Sequence, residues 1–112
     1  MDIEVKAWLY DILNAINEIE SFVVRISNDF SAYQHDILTK RATERNIEII
    51  GEAVNRIMHK DQTIELSNAR NIVNTRNRII HGYDSVSDEI IWSIIITHLP
   101  VLKSEVLKLL EE

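Results

Sequence analysis

Four polar residues near position 80 have the types and the spacing to cleave a phosphodiester. Arg76, Asn77 and His81 lie in one predicted helix, and Tyr83 follows it directly after Gly82. Asn77 and His81 are one helical turn apart, so the amide can orient the imidazole, and the long Arg76 side chain can swing back toward them. A guanidinium neutralises the phosphoryl oxygens of the transition state, and an imidazole moves protons near neutral pH. These groups could therefore act without a metal ion.

The same residues also have a purely structural interpretation. Arg76 would then pair with an acidic side chain, His81 would cap the end of the helix, and Tyr83 would pack on the protein. The catalytic interpretation has a further requirement, because attack by a 2'-hydroxyl group needs both a base and an acid, and one histidine serves as only one of them. Two copies of the motif facing each other across a homodimer axis would supply both.

The elements that must position this motif are helices. Apolar residues recur every three or four positions, and two glycines and one proline are too few for the turns of an all-β fold. The sequence predicts one all-α domain over residues 1–112, an antiparallel bundle of four to five helices. We expect a long helix at 5–26, a short one at 30–33, further long helices at about 36–59 and 68–81, and a last helix that begins at Ser85 or Ser87 and is kinked at Pro100.

The second long helix is expected to turn one apolar face inward. Its predicted inward residues are Ile37, Leu38, Ala42, Ile49, Ala53 and Ile57. Gly51 costs this helix about 1 kcal/mol relative to alanine, which is easily understood if another helix approaches closely there. Ser67 is the expected N-cap of the third long helix, and Gly82 is its expected end.

The composition excludes several classes of site. Without cysteine the chain has no disulfide, no thiol nucleophile and no cysteine-ligated metal. His35, His59 and His98 have no second ligand at a convincing spacing, so we expect caps or surface residues there, and no metal or cofactor. No signal peptide and no membrane-spanning segment is expected, which makes the cytoplasm the default location.

The formal charge of −6 at pH 7 argues at first against a nucleic-acid partner. The distribution of the charge changes that inference. Residues 36–81 hold eight basic and six acidic residues, whereas the rest of the chain holds four basic and twelve acidic ones. The segment that contains the motif is therefore positive, and a basic cleft on an acidic body can still attract phosphate.

Two segments resemble one known family. The motif at residues 76–83, which reads RNRIIHGY, resembles the signature of the HepT-like toxins, a branch of the HEPN superfamily of small helical ribonucleases. Residues 41–53, with their Ile-Gly-Glu-Ala core, are similar to the second-helix pattern of that family, and the similarity continues through residues 99–102. The chain departs from the pattern at Asn68 and Ala69, where Pro-Trp is common in the family.

The resemblance implies a role for each residue of the motif. Arg76 and His81 would be the catalytic pair of a metal-independent RNase that acts on RNA and not on DNA, with Asn77 in support. Tyr83 would be the phenol to which a cognate MNT-type nucleotidyltransferase antitoxin attaches AMP, as in a type VII toxin–antitoxin system. Bulk and negative charge on that phenol would exclude an RNA phosphate.

Two other functions fit the same residues. Arg76 and His81 could simply bind phosphate in a non-catalytic subunit that presents a nucleotide or another substrate to a partner nucleotidyltransferase. The chain could also be an interaction bundle without any site, indifferent to substitutions in the motif. An autonomous kinase or nucleotidyltransferase is excluded, because the sequence has no glycine-rich loop that could cradle phosphates.

Overall fold

The computed structural model describes residues 1–81 and 86–112, and within them the chain forms five helices and no strand. The helices are α1 (Ile3–Arg25), α2 (Phe30–His35), α3 (Ile37–Lys60), α4 (Ala69–Ile80) and α5 (Asp88–Glu111). The predicted all-α bundle is confirmed. Gly82, Tyr83 and Ser85 lie outside the described residues, so the helix end, the modification site and the alternative cap expected there stay predictions.

The helix α3 lies at the centre of the bundle and packs against both α1 and α4. The buried residues of α1 follow the predicted three- and four-residue spacing, with Ala15 in addition: Val5, Leu9, Ile12, Ala15, Ile16, Ile19 and Val23. The C-terminal part of α5 also packs against α1 and adds the buried residues Leu99, Leu102 and Val106. The motif-bearing helix α4 is therefore held mainly by its contact with α3.

The inward face of α3 differs from the prediction in its first two turns. Ile37 and Leu38 are 60% and 68% exposed, whereas Thr39 and Thr43 are buried. The phase of the helix explains the difference, because stepping back by fours from the buried Ile47 leads to the two threonines. Of the other predicted inward residues, Ala42 and Ile49 are half-buried, whereas Ala53 and Ile57 are buried.

The starts of α4 and α5 test two predicted caps. Ser87 is confirmed, since its hydroxyl accepts a hydrogen bond from the N–H of Ile90 at 3.2 Å. Ser67 is wrong as the cap of α4, because its N–H and its hydroxyl both donate to the Glu105 carboxylate, at 3.0 Å and 2.7 Å. The N-cap is Asn68 instead, with a left-handed φ of 59° and no capping bond from its side chain.

The helix α5 is irregular near the predicted position. Ile94–His98 form a π-helical turn just before Pro100, and the helix then continues to Glu111. Pro100 has no N–H to donate and its ring crowds the preceding turn, so the hydrogen-bond ladder rearranges. The N–H of Leu99 donates to the carbonyl of Ile94, five residues earlier. The disruption expected from Pro100 therefore takes the form of a π turn.

The helix α5 is also more apolar than expected. Its length and composition would allow it to cross a membrane. One face of it is nevertheless buried in the core, through residues such as Ile91, Ile94 and Leu102. We therefore interpret α5 as a helix of the bundle, consistent with a soluble protein. Its outer face exposes large apolar residues: Ile90, Ile96, Val101 and Leu107.

Candidate active site

The helix α4 carries most of the positive charge of residues 36–81 that is left unpaired within the described part of the chain. It contains Arg70, Arg76 and Arg78 and no acidic residue. Within residues 1–81 and 86–112 these arginines form no ion pair, whereas the arginines of α1 and α3 are each paired: Arg25 with Asp36, Arg41 with Glu44, Arg45 with Glu48 and Arg56 with Glu52. Because the arginines on α3 are neutralised locally, the positive character of residues 36–81 is concentrated on α4.

Gly51 is the point at which α3 meets Arg76. A Cβ atom built on Gly51 would lie 2.6 Å from the Cβ of Arg76 and 3.1 Å from its Cγ and Cδ. Carbon atoms that are not bonded do not approach so closely, so any larger residue would force the two helices to shift. The close helix contact predicted from this glycine is confirmed, and the residue that it meets is the candidate catalytic arginine.

The Arg76 side chain runs from this contact toward the end of α4. Its Nε is buried without a hydrogen-bond partner among the described residues, and its Nη1 donates to Oδ1 of Asn77 at 3.1 Å. The Arg76 side chain is therefore packed against α3 at its Cβ, and its guanidinium folds over Asn77. No described carboxylate pairs with it, so this part of the structural interpretation is wrong for the described residues.

His81 is exposed and occupies the C-cap position of α4. Its backbone N–H donates to the carbonyl of Asn77 at 3.1 Å. The sequence spacing predicts that the Asn77 side chain orients the His81 imidazole. In the structure the Oδ1 of Asn77 accepts a hydrogen bond from Arg76 instead, because the adjacent arginine is long enough to fold back. Asn77 therefore contacts both candidate catalytic residues. The capping interpretation is correct about the position of His81, and an exposed ring at a helix end is also accessible to a substrate.

Two residues of α4 that the motif does not include lie in line with it. Arg70 and Asn74 precede Asn77 and His81 at intervals of four, three and four residues, and all four are exposed. This spacing places them in one row along the outer face of α4. Reasoning from the motif missed Arg70 and Asn74, although the interval between polar residues was a signal that could have found them.

The remaining histidines have different surroundings. The Nδ1 atoms of His35 and His59 lie 2.8 Å from the carbonyl oxygens of Ser31 and Asn55, near helix ends, as predicted. His98 differs from that prediction, because it is half-buried in the π turn and its Nδ1 is buried without a partner among the described residues. No three His, Asp or Glu side chains of residues 1–81 and 86–112 are grouped to hold a metal ion.

Comparisons with known proteins agree with the motif. The family model for HepT-like ribonucleases matches residues 12–109. A candidate RNase of Methanocaldococcus jannaschii is 33% identical over 105 residues, which span 92% of this chain and 94% of that protein. A candidate ribonuclease HepT of Thermococcus cleftensis is 32% identical over 105 residues, spanning 93% of this chain and 94% of that protein. No solved structure matches the chain significantly.

Proposed function

This chain belongs to the HepT-like ribonuclease family, and we propose that it is a cytoplasmic toxin that cuts RNA without a metal ion, with Arg76 and His81 as its catalytic residues. The observation that carries the proposal is the end of α4. There Arg76 is anchored against Gly51, Asn77 contacts it, and His81 is exposed. The arginines of α4 supply the charge that attracts RNA phosphates.

The proposed reaction transfers two protons and breaks one phosphorus–oxygen bond. One imidazole takes the proton of a 2'-hydroxyl group, whose oxygen attacks the neighbouring phosphorus. The Arg76 guanidinium stabilises the negative charge that develops on the phosphoryl oxygens. A second imidazole gives a proton to the leaving 5'-oxygen. The products are a 2',3'-cyclic phosphate and a 5'-hydroxyl end.

A homodimer would supply the second imidazole. Ile80, which directly precedes His81, is 48% exposed. Burial of apolar surface favours association, and an interface that covers Ile80 on both subunits would bring the two motifs together. A symmetric dimer is the simplest assembly that achieves this.

Inhibition by a partner nucleotidyltransferase completes the proposal. Tyr83 is only two residues after His81 in the sequence. An AMP group on its phenol would add bulk and negative charge next to the motif. RNA phosphates would then be excluded by occlusion and by repulsion. In this account the chain is the toxin of a type VII toxin–antitoxin system, and the antitoxin is an MNT-type nucleotidyltransferase.

Controlled expression in bacterial cells tests the toxin function. Wild-type protein should arrest growth and His81→Ala should not, while both remain folded by circular dichroism. Co-expression of the nucleotidyltransferase from a neighbouring reading frame should restore growth and raise the mass of the toxin by one AMP unit. Tyr83→Phe should prevent both effects.

The two alternative functions make different predictions for the same experiment. In a non-catalytic binding subunit, His81→Ala would weaken binding of a nucleotide or of the partner and leave growth unaffected. A bundle without a site would be indifferent to substitution of all four motif residues. Growth arrest by His81→Ala equal to that by wild type would contradict the catalytic role of His81.

A further inference from the structure

A groove of about 380 Å³ lies between α4 and α5. Arg78 lines it, and since each residue of an α-helix turns by about 100°, Arg78 points to the opposite side of α4 from Arg76. Both helices contribute polar side chains to the groove, beside the apolar Ile90 and Ile94: Asn71, Asn74, Thr75 and Arg78 from α4, and Glu89, Ser93 and His98 from α5. The proposed cleavage reaction assigns no role to any of them.

His98 is the unusual residue of this groove. The Nδ1 atoms of His35 and His59 each lie 2.8 Å from the carbonyl oxygen four residues earlier. Four residues before His98 is Ile94, whose carbonyl accepts a hydrogen bond from the N–H of Leu99 in the π turn. The Nδ1 of His98 is therefore left buried without a hydrogen-bond partner among the described residues. A buried polar atom without a partner is unfavourable, so a ligand in the groove would be stabilised if the ring of His98 turned its Nδ1 toward it and donated a hydrogen bond.

Arg78 supplies the positive charge of the groove. It is exposed, and it forms no ion pair within residues 1–81 and 86–112. Glu89 lines the same groove without pairing with it. A guanidinium fork binds a phosphate through two parallel hydrogen bonds. The nearby carboxylate favours a singly charged phosphodiester over a doubly charged terminal phosphate, because it repels the second charge more strongly.

We propose that this groove binds a phosphodiester of the RNA strand, next to the phosphodiester that is cut. Arg78 and His98 would hold the phosphate oxygens from opposite walls, with the amide of Asn71 as a further donor. Asn74 belongs both to the groove and to the exposed row that ends at His81, so the groove is continuous with the candidate active site. The identity of the polymer rests on the proposed function.

Binding of an RNA that cannot be cut tests this site. The probe is a short fluorescent single-stranded RNA in which every 2'-oxygen is methylated, so that the attacking hydroxyl is missing. Arg78→Gln should raise the Kd about tenfold, and His98→Gln about fivefold, as expected for lost hydrogen bonds to a charged group. Arg78→Gln should also lower the slope of log Kd against log salt concentration by about 0.7, the value for one lost phosphate contact on a single strand.

Matched substitutions on α3 serve as controls. Arg45→Gln and His59→Gln remove the same side-chain types from positions with local partners, so both should bind the probe within about twofold of wild type. Wild-type affinity in both groove variants, or no binding of the probe by wild type, would overturn the proposed site. A groove variant that alters the subunit mass in light scattering but not RNA binding would overturn it in favour of a protein interface.

Cleavage of unmodified RNA by the same proteins separates this inference from the proposed function. Wild-type protein that cuts RNA while the groove variants bind the probe normally would overturn the groove alone. Wild-type protein that binds the probe through Arg78 and His98 but never cuts RNA would overturn the nuclease function alone.

Discussion

At the residue scale, both ends of the Arg76 side chain are held in place. Its Cβ occupies the space that a side chain at position 51 would take, and its Nη1 is held by Oδ1 of Asn77 at 3.1 Å. A preorganised guanidinium is useful in catalysis because little reorganisation is needed as charge develops in the transition state. The planar fork also matches the geometry of phosphoryl oxygens, which an ammonium group does not.

Replacing Arg76 by lysine tests the need for this fork. Arg76→Lys keeps the charge and most of the aliphatic stem, so we expect the free energy of unfolding to change little. Turnover of RNA should fall about 100-fold, the effect of losing an oriented transition-state donor. The measurement is kcat with a fluorescent RNA, and Arg45→Lys, at a residue paired with Glu48, should retain wild-type turnover. Wild-type turnover by Arg76→Lys would show that charge alone is sufficient.

At the scale of elements, the position of α4 depends on the surface of α3 at Gly51. Helix propensity alone predicts that Gly51→Ala stabilises the protein by about 1 kcal/mol. The clash with the Cβ of Arg76 predicts the opposite sign, a loss of about 1 to 3 kcal/mol from overpacking. Urea unfolding decides between them, and RNA cleavage should fall together with stability because Arg76 is displaced.

A neighbouring position provides the control for that substitution. Glu52→Ala changes the next residue, on the partly exposed side of α3, and should stay within about 0.5 kcal/mol of wild type. If Gly51→Ala proves more stable than wild type with full activity, the close contact between the two helices does not constrain Arg76.

The start of α3 depends on a charged cap. The Asp36 carboxylate accepts hydrogen bonds from the N–H and the hydroxyl of Thr39 at 3.1 Å and 2.9 Å, and Arg25 lies 3.7 Å away. The hydrogen bond from the Thr39 backbone is the main cause that lowers the pKa of Asp36 below its usual value, followed by the hydroxyl and then the charge of Arg25. The pKa of Asp36 is lower in the folded protein than in the unfolded one. Its carboxylate therefore stabilises the fold fully above the unfolded pKa, and this stabilisation is lost as the pH falls through the folded pKa.

Removing that charge predicts a pH dependence of known sign. Asp36→Asn keeps a capping oxygen but cannot ionise. Wild type should be more stable than Asp36→Asn at about pH 7, and the difference should shrink as the pH falls below about 4. Urea unfolding at several pH values measures this difference. A gap that stays constant down to about pH 2 would rule out the charge of Asp36 as its cause.

The sequence predicts those parts of the fold that depend on local patterns. The long apolar repeat of α1 and the glycine contact of α3 are readable because periodicity and a helical glycine report directly on packing. The cap of α4 is not readable, because Ser67 is taken by Glu105, which is distant in sequence. Asn46 is similar: its Nδ2 donates to Oε1 of Glu18 on α1 at 3.1 Å, so a polar residue is buried through a tertiary contact.

The same limit applies to the candidate site. Arg76, Asn77 and His81 are found from their spacing within one helix. The juxtaposition of Arg78 and His98 could not be found that way, because it depends on how α5 packs beside α4 and on the π turn before Pro100.

At the scale of the whole molecule, charge and apolar surface are both unevenly distributed. The chain carries −6, yet α4 has three arginines and no carboxylate. An extended polyanion should therefore approach the side of the molecule that bears α4. One exposed apolar side chain, Ile80, belongs to α4 itself and directly precedes His81.

The proposed dimer is tested by a charge placed beside the motif. Ile80→Asp should shift the protein from dimer to monomer, because burying an unpaired carboxylate in an interface is unfavourable. Cleavage should fall at least tenfold, since each site would lose the second imidazole. The control is Leu38→Asp, at an apolar residue of α3 that is 68% exposed and should remain dimeric. Wild-type protein that is monomeric by sedimentation while cutting RNA would refute the shared site.

Cleavage of a defined RNA by purified protein in excess chelator tests the central claim most directly. The reaction compares wild type with His81→Ala, and His59→Ala controls for the loss of an exposed histidine that bonds within its own helix. The account predicts that wild type and His59→Ala cut the RNA to products with 2',3'-cyclic phosphate and 5'-hydroxyl ends, and that His81→Ala cuts at least 100-fold more slowly. Equal cleavage by His81→Ala, or cleavage that requires added metal and leaves 5'-phosphate ends, would contradict it.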